Sequence, residues 1–326
     1  MDRRSFVIGS AASAATLAAG RATAQDAYPS HAITVVSPFP SGGVSDTITR
    51  PLDAALEEVF KQPVVLENKV GAAGAVGAQF VAAAKPDGYT LTHIVSISGF
   101  AAVDKLFGRT PKFTNASFIP LARIVADPIV MIVNKDLPYK TVKDLVADAK
   151  ANPNKLIFSS SGLYGASHIP TALFTKAAGD LKMRHLPTNG GGPAVTAVLG
   201  GNVNFFMSPT SIALPHIRAG KVRPLAVSSA QRAKSLPDVP TFKEQGYDLE
   251  YYFWVGIFAP KGTPEPIVKT LRSGLDKAAH SEQFLTAMKN LGQELAYMDQ
   301  PEFAKFWAAD AKKMEDAIQS IGRVQG

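Results

Sequence analysis

The sequence predicts an α/β protein of two compact units, in which helices layer onto parallel strands. Three observations lead there. Strand-like apolar runs alternate with helix-like ones through most of the chain, the pattern of α/β layers rather than of a bundle or a sandwich. About 300 residues follow an N-terminal leader pattern, enough for two units of ordinary domain size. Hydrophobic residues make up 46% of the chain, enough to fill substantial cores.

The leader is read first. Arg3 and Arg4 precede an uncharged run over residues 5–20, and Ala22-Thr23-Ala24 supplies a small-residue cleavage pattern, so residues 1–24 are expected to be a signal peptide. Arg3-Arg4-Ser5-Phe6-Val7 also fits a twin-arginine signal. The run is rich in Ala, Ser and Gly and shorter than the roughly 20 strongly apolar residues that a membrane span requires. The expectation is an exported, periplasmic chain beginning near Gln25. Without cysteine it has no disulfide, thiolate nucleophile, Cys-based metal site or lipid-bearing thiol. Past the leader, 31 basic residues face 26 acidic ones, a net +5 against +7 for the whole sequence. That excess suits anionic small molecules. No basic block with interleaved aromatics points to nucleic acid.

Ile33-Thr34-Val35-Val36 reads as the first strand. Pro38-Phe39-Pro40-Ser41-Gly42-Gly43 breaks it, and a helix follows with Ile48, Leu52, Leu56 and Val59 on one face. Pro51 inside that helix costs a hydrogen bond unless the helix kinks or starts late. Val64-Val65-Leu66 is a second strand, residues 72–84 a small-residue helix, and Tyr89-Thr90-Leu91 a third strand after the Pro86-Asp87-Gly88 turn. Residues 129–133 form a strand, and Thr141 opens a helix with Asp144 at capping-box spacing. Leu156-Ile157-Phe158 runs into Ser159-Ser160-Ser161-Gly162, and a helix over 170–178 stops at Gly179. Residues 222–227 form the last strand of this half. An apolar, aromatic stretch covers 251–258, Thr263-Pro264 starts a helix with proline in its first turn, and helices near 281–291 and 299–321 return to the first unit.

Open α/β sheets bind ligands at the carboxyl ends of their strands, where loops lead into helices. Residues 38–46 fit: Gly42 and Gly43 bring bare amides close to an anion, and Ser45 or Asp46 begins the helix behind them. Residues 159–168 combine hydroxyls, glycines and a helix start, and Gly190-Gly191-Gly192-Pro193 is a third such cluster. Tight turning alone also explains each loop. Gly71, Gly74 and Gly77 do not follow dinucleotide spacing and are better explained by close helix packing. His168 either donates to a carboxylate or caps and packs. Tyr164, Phe253 and Trp254 face a flat substrate, or the latter two are core. No nucleophile elbow, zincin or phosphate-loop motif occurs.

These residues resemble the tripartite tricarboxylate transporter receptors, the TctC or Bug family. The matching stretches run in order: Pro38-Phe39-Pro40-Ser41-Gly42-Gly43-Val44-Ser45-Asp46, Val64-Val65-Leu66-Glu67-Asn68, Pro86-Asp87-Gly88-Tyr89-Thr90-Leu91 and Leu199-Gly200-Gly201. His216-Ile217-Arg218-Ala219-Gly220-Lys221, Leu236-Pro237-Asp238-Val239-Pro240-Thr241, Trp254 and Ala259-Pro260-Lys261-Gly262-Thr263-Pro264 complete them. The resemblance implies a two-lobed periplasmic-binding-protein (Venus flytrap, type II-like) fold, with residues 25–127 and 251–326 in lobe 1 and 128–250 in lobe 2. It implies a receptor that closes on a small organic carboxylate and delivers it to membrane permease subunits, without chemistry, cofactor or metal. The ligand-binding residues it implies are Phe39, Ser41, Gly42, Gly43, Ser45, Asp46 and Ser98 on one wall. On the other stand Ser160, Gly162, Tyr164, Gly165, Ala166, Ser167 and His168, with Asn189, Ser208 and Thr210 completing the pocket.

The departures fall in that pocket. Tyr164 replaces a glycine and Gly165 a hydroxyl residue; Thr188-Asn189 stands for Tyr-Lys and Ser208-Pro209 for Asp-Asn. Losing Asp at 208 disfavours an amino group, so a dicarboxylate or aromatic carboxylate is favoured over an amino acid. The competing expectations are a ligand sensor for a signalling partner and a hydrolase pairing a hydroxyl of Ser159, Ser160 or Ser161 with His168. A monomer is expected, because a protein that opens and closes gains nothing obvious from a fixed interface.

Overall fold

β1 (Ile33–Ser37) leads into α1 (Val44–Phe60), and β2 (Val64–Asn68) follows on its far side. These elements come from a computed structural model that describes residues 28–94, 99–293 and 295–324. The leader expected over residues 1–24 and the site residue Ser98 lie outside the described residues. Ile48, Leu52 and Leu56 of α1 are buried as their spacing predicts, and Pro51 is accommodated within one continuous helix. A single turn at Ala72–Gly74 precedes α2 (Ala75–Ala82). The glycines here serve packing: a Cβ on Gly77 would lie 2.9 Å from the Pro38 backbone, so α2 rests directly on the loop after β1. β3 (Thr90–Ile94) and α3 (Gly99–Leu106) come next.

β4 (Phe118–Asn134) is far longer than the strand expected at 129–133. After it come α4 (Val142–Ala151), β5 (Ile157–Ser160), α5 (His168–Ala177), β6 (Arg184–Pro187), α6 (Gly191–Leu199), β7 (Phe205–Pro209), α7 (Thr210–Arg218) and β8 (Val222–Val227). The capping box at Thr141 and Asp144 is present in both directions. The chain closes with β9 (Tyr252–Pro260), α8 (Glu265–Ala279), α9 (Glu282–Asn290), β10 (Leu295–Asp299) and α10 (Gln300–Ile321). Pro264 stands just before α8 rather than inside its first turn.

The strands run in the order β2-β1-β3-β9-β4-β7-β5-β6, with β8 and β10 also paired to β4. Parallel pairing, expected throughout, is confined to β2-β1-β3 and to β7-β5-β6. β4 and β9 are antiparallel to their neighbours and join the two parallel sets. Alternating strand-helix order signals parallel βαβ units, but it does not reveal a strand that returns from the other half of the chain.

From His31 onward the chain folds as an α/β protein whose two parallel sets form two lobes joined through β4 and β9. One core gathers Val130, Ile132, Val198, Phe206 and Leu214 under β4, α6 and α7. Another gathers Val36, Trp254, Phe258, Phe303 and Trp307. A third joins Ala102 of α3 and Met314 and Ile318 of α10 to Tyr164 and Ile169. The C-terminal helix therefore packs on the 160s segment as well as on the first half. Where the chain crosses between halves, the Ser228 hydroxyl accepts from Ile129 N at 2.9 Å and donates to the Tyr251 carbonyl, lacing both crossings together.

Candidate ligand-binding site

The loops that leave β1 of one parallel set and β5, β6 and β7 of the other converge on a cavity of about 250 Å3. Phe39, Ser41, Gly42 and Gly43 line it from the β1 loop; Tyr164, Gly165, Ala166 and Ser167 from the β5 loop; Asn189 to Gly192 from the β6 loop. Phe100, Phe113, Phe253 and Ile212 supply apolar walls. A wider space at its mouth is bordered by Gly162, Thr188, Arg109 and Arg323.

Two helix starts open onto this cavity. α1 begins after Gly43 and α6 after Gly190, and neither has a side-chain cap. The first N–H groups of a helix have no partner inside the helix, and the aligned peptide dipoles place partial positive charge there. The amides of Gly43, Gly191 and Gly192 make no hydrogen bond to any described residue. Glycine matters at these positions because a Cβ on Gly191 would lie 2.6 Å from Ile212 Cδ1, and Gly190 holds φ +128°. Such a pair of bare helix ends binds an anion without a buried counter-charge.

The surrounding bonds hold the loops still. Gly42 N–H donates to Asp46 Oδ2 at 3.0 Å, and Asp46 pairs with Arg50 at 2.9 Å, so this amide is already engaged. Burial works against the Asp46 charge, yet the bonds from Arg50 and Gly42 prevail and hold its pKa below the ordinary value. Asn68 Nδ2 donates to the Phe39 carbonyl at 2.8 Å. Thr188 Oγ1 lies 2.8 Å from the carbonyl oxygens of both Ser160 and Gly190 and shares its one proton between them, tying the β5 and β6 loops together.

Several residues named from sequence stand behind the cavity instead of in it. Ser160 is fully buried and its hydroxyl meets His185 Nε2 at 2.7 Å. His168 accepts from Tyr164 N–H at 2.9 Å and stacks on His185 at 4.3 Å between centroids. Burial, with a smaller effect from His185, lowers the His168 pKa to about 3; burial lowers that of His185 to about 4. The histidine that meets a serine is thus His185, not His168, and the two rings stack on each other. Ser208 donates to the Pro209 carbonyl and Thr210 to that of Pro128. Phe253 lines the cavity, whereas Trp254 is core. The backbone at Ser45 belongs to the first turn of α1.

Tyr164 explains its own departure from the glycine pattern. It holds φ +55°, a conformation that disfavours a side chain. Its ring joins the third core, and its hydroxyl donates to Gly322 O at 2.9 Å and accepts from Val324 N at 2.7 Å. Packing and two hydrogen bonds offset the backbone cost. Asp104, in the last turn of α3, and Arg109, just beyond it, also line the cavity and went unnoticed in the sequence. Gly108, two residues beyond that helix and at φ +70°, is the signal that would have placed Arg109.

Beneath α1, His93 is wholly buried and neither ring nitrogen has a partner among the described residues. Burial, against a weak pull from Asp46, lowers its pKa to about 3. The unfolded chain, with an ordinary histidine pKa near 6.5, takes up this proton first. Stability tied to the neutral ring is therefore complete above about pH 6.5 and is lost as pH falls toward 3. Relative to His93→Leu, the wild type should lose about 2 kcal/mol between pH 7 and pH 5. Urea unfolding at both pH values checks this; a difference independent of pH would contradict it.

A two-lobed α/β fold with an uncapped, anion-accepting cleft defines a solute-binding protein. The chain belongs to the TctC family, the tripartite tricarboxylate transporter family receptors, whose sequence pattern matches residues 48–323. These are periplasmic substrate-binding receptors, not enzymes. Protein BugT of Bordetella pertussis is 31% identical over 323 residues, covering 99% of this chain and 98% of that protein. The structure of an R. palustris protein with adipate is similar at a TM-score of 0.84 and 29% identity, covering 90% of this chain and 98% of that one. MatC from Rhodopseudomonas palustris with bound malate is similar at 0.81 and 28%, covering 89% and 99%.

Proposed function

We propose that this protein captures a small organic carboxylate with an apolar body, a dicarboxylate or an aromatic carboxylate, and delivers it to the membrane subunits of a tripartite tricarboxylate-type transporter. One observation carries the reading: the bare helix ends at Gly43 and Gly191 line the same cavity as Phe39, Phe100, Phe113 and Phe253. The amides take the carboxylate, and Phe39, Phe100, Phe113 and Phe253 take the body. Backbone donors leave no buried counter-charge behind, so opening the lobes is enough for release. Relatives solved with malate and adipate support the carboxylate class. Buried, self-bonded Ser208 leaves nothing on that strand to neutralise an ammonium group, which supports a carboxylate over an amino acid. The lobe boundaries proposed are 25–127 with 251–326, and 128–250. The leader with its Arg3-Arg4 pair supports export to the periplasm.

Thermal unfolding against aliphatic dicarboxylates, aromatic carboxylates and amino acids tests the reading. A carboxylate at one hundred times its Kd should stabilise the protein by about 2.7 kcal/mol and raise the midpoint by several degrees. A rise with amino acids alone would contradict it.

A further inference from the structure

We infer that Arg109 grips a second anionic group on the ligand, which makes the receptor selective for dicarboxylates over monocarboxylates of the same body. The inference rests on the carboxylate reading above and narrows it.

Arg109 is the one basic side chain among the described residues that line the cavity, and it also borders the mouth. Its position is built by the end of α3. Gly108, at φ +70°, donates from its N–H to Lys105 O at 3.0 Å, and Arg109 N–H reaches back to Asp104 O at 2.8 Å. This pair of bonds is a Schellman closure, which places the residue after the glycine beside the one five positions earlier. An apolar contact usually fills that spot. Here Arg109 Nε donates to Asp104 Oδ1 at 2.9 Å, and the guanidinium lies 5.2 Å from the Phe107 ring centroid.

The consequence is a guanidinium oriented from one edge only. Its Nε is engaged, and its two terminal nitrogens have no hydrogen-bond partner among the described residues. Those nitrogens form the fork that matches a carboxylate. Asp104 is the one carboxylate on the cavity wall among the described residues and is already paired with Arg109, so it fixes the cation rather than opposing the ligand. Arg323 at the mouth donates to Leu106 O at 2.8 Å and adds a second positive charge beside the same helix end. Bare amides and a guanidinium fork on the lining of one cavity suit a ligand with two anionic groups.

Calorimetric titration of the purified protein with diacids and monoacids of four to eight carbons, and with terephthalate and benzoate, tests this. In the wild type the best diacid should bind at least about tenfold more tightly than its matched monoacid. Arg109→Gln should remove that preference by weakening the diacid alone, and Arg109→Lys should restore part of it. The Arg109–Asp104 pair is exposed, so the unliganded melting temperature should barely move. Asp104→Asn, which frees the guanidinium without removing it, should change diacid affinity and leave monoacid affinity as it was. If Arg109→Gln weakens both classes equally or neither, the inference is overturned while the receptor reading stands. If no acid binds the wild type, both fall.

Discussion

Gly43→Pro should weaken carboxylate binding about tenfold or more while leaving the unliganded protein close to its original stability. The backbone at Gly43 has φ −80° and ψ 175°, which proline adopts without strain. A Cβ there would touch only Pro40 O, at the ordinary distance of 3.4 Å. What the substitution removes is one N–H at the start of α1, a donor that no described residue uses. A hydrogen bond to a charged group contributes about 1.5–3 kcal/mol, and 1.4 kcal/mol is tenfold in Kd. Calorimetry of the variant with the best carboxylate, beside its melting temperature without ligand, separates the two effects. Unchanged affinity would mean that the anion does not sit on this helix end.

Phe303→Ala should destabilise the fold by about 3–5 kcal/mol, the usual loss for a fully buried phenylalanine. Phe303 of α10 packs edge-on against Trp254 at 5.6 Å and lies 5.3 Å from Phe258, so it closes the second core from outside the sheet. Its ring sits directly over Gly256 of β9, where a Cβ would come within 2.3 Å of Phe303 Cζ. The two positions are therefore coupled. Gly256→Ala alone should cost stability through overpacking, whereas in the Phe303→Ala background it should be neutral or stabilising, because its methyl enters the vacated space. Urea unfolding of the two single variants and the double variant completes the cycle. Additive losses would show that the ring does not occupy the space over Gly256.

Much of this architecture was legible because local chemistry and global fold agree. Ile48, Leu52 and Leu56 fall on one face, Thr141 and Asp144 close a capping box, and Gly43 and Gly190 stand where bare helix starts are needed. What stayed hidden depends on partners distant in sequence. The length of β4 could not be read from its own residues, since its pairing with β9 joins segments more than a hundred residues apart. The same holds for Ser160 and His168, which look like ligand groups in a hydroxyl-rich loop. Both are turned inward by His185, which lies on β6. Asp46 is the local exception: it reads as a ligand residue at a helix start, yet it bonds its near neighbours Gly42 and Arg50. Tyr164 reads as a gap in a glycine pattern, and only the returning C-terminal segment shows what its hydroxyl holds.

The central claim is that a carboxylate rests on the exposed amides of two helix starts, and it is tested most directly by following backbone amide resonances while a carboxylate is titrated in. The account expects the largest shifts at Gly43, Gly191 and Gly192, saturating together at one Kd. Saturating shifts confined to other amides, with these three unmoved, would contradict it.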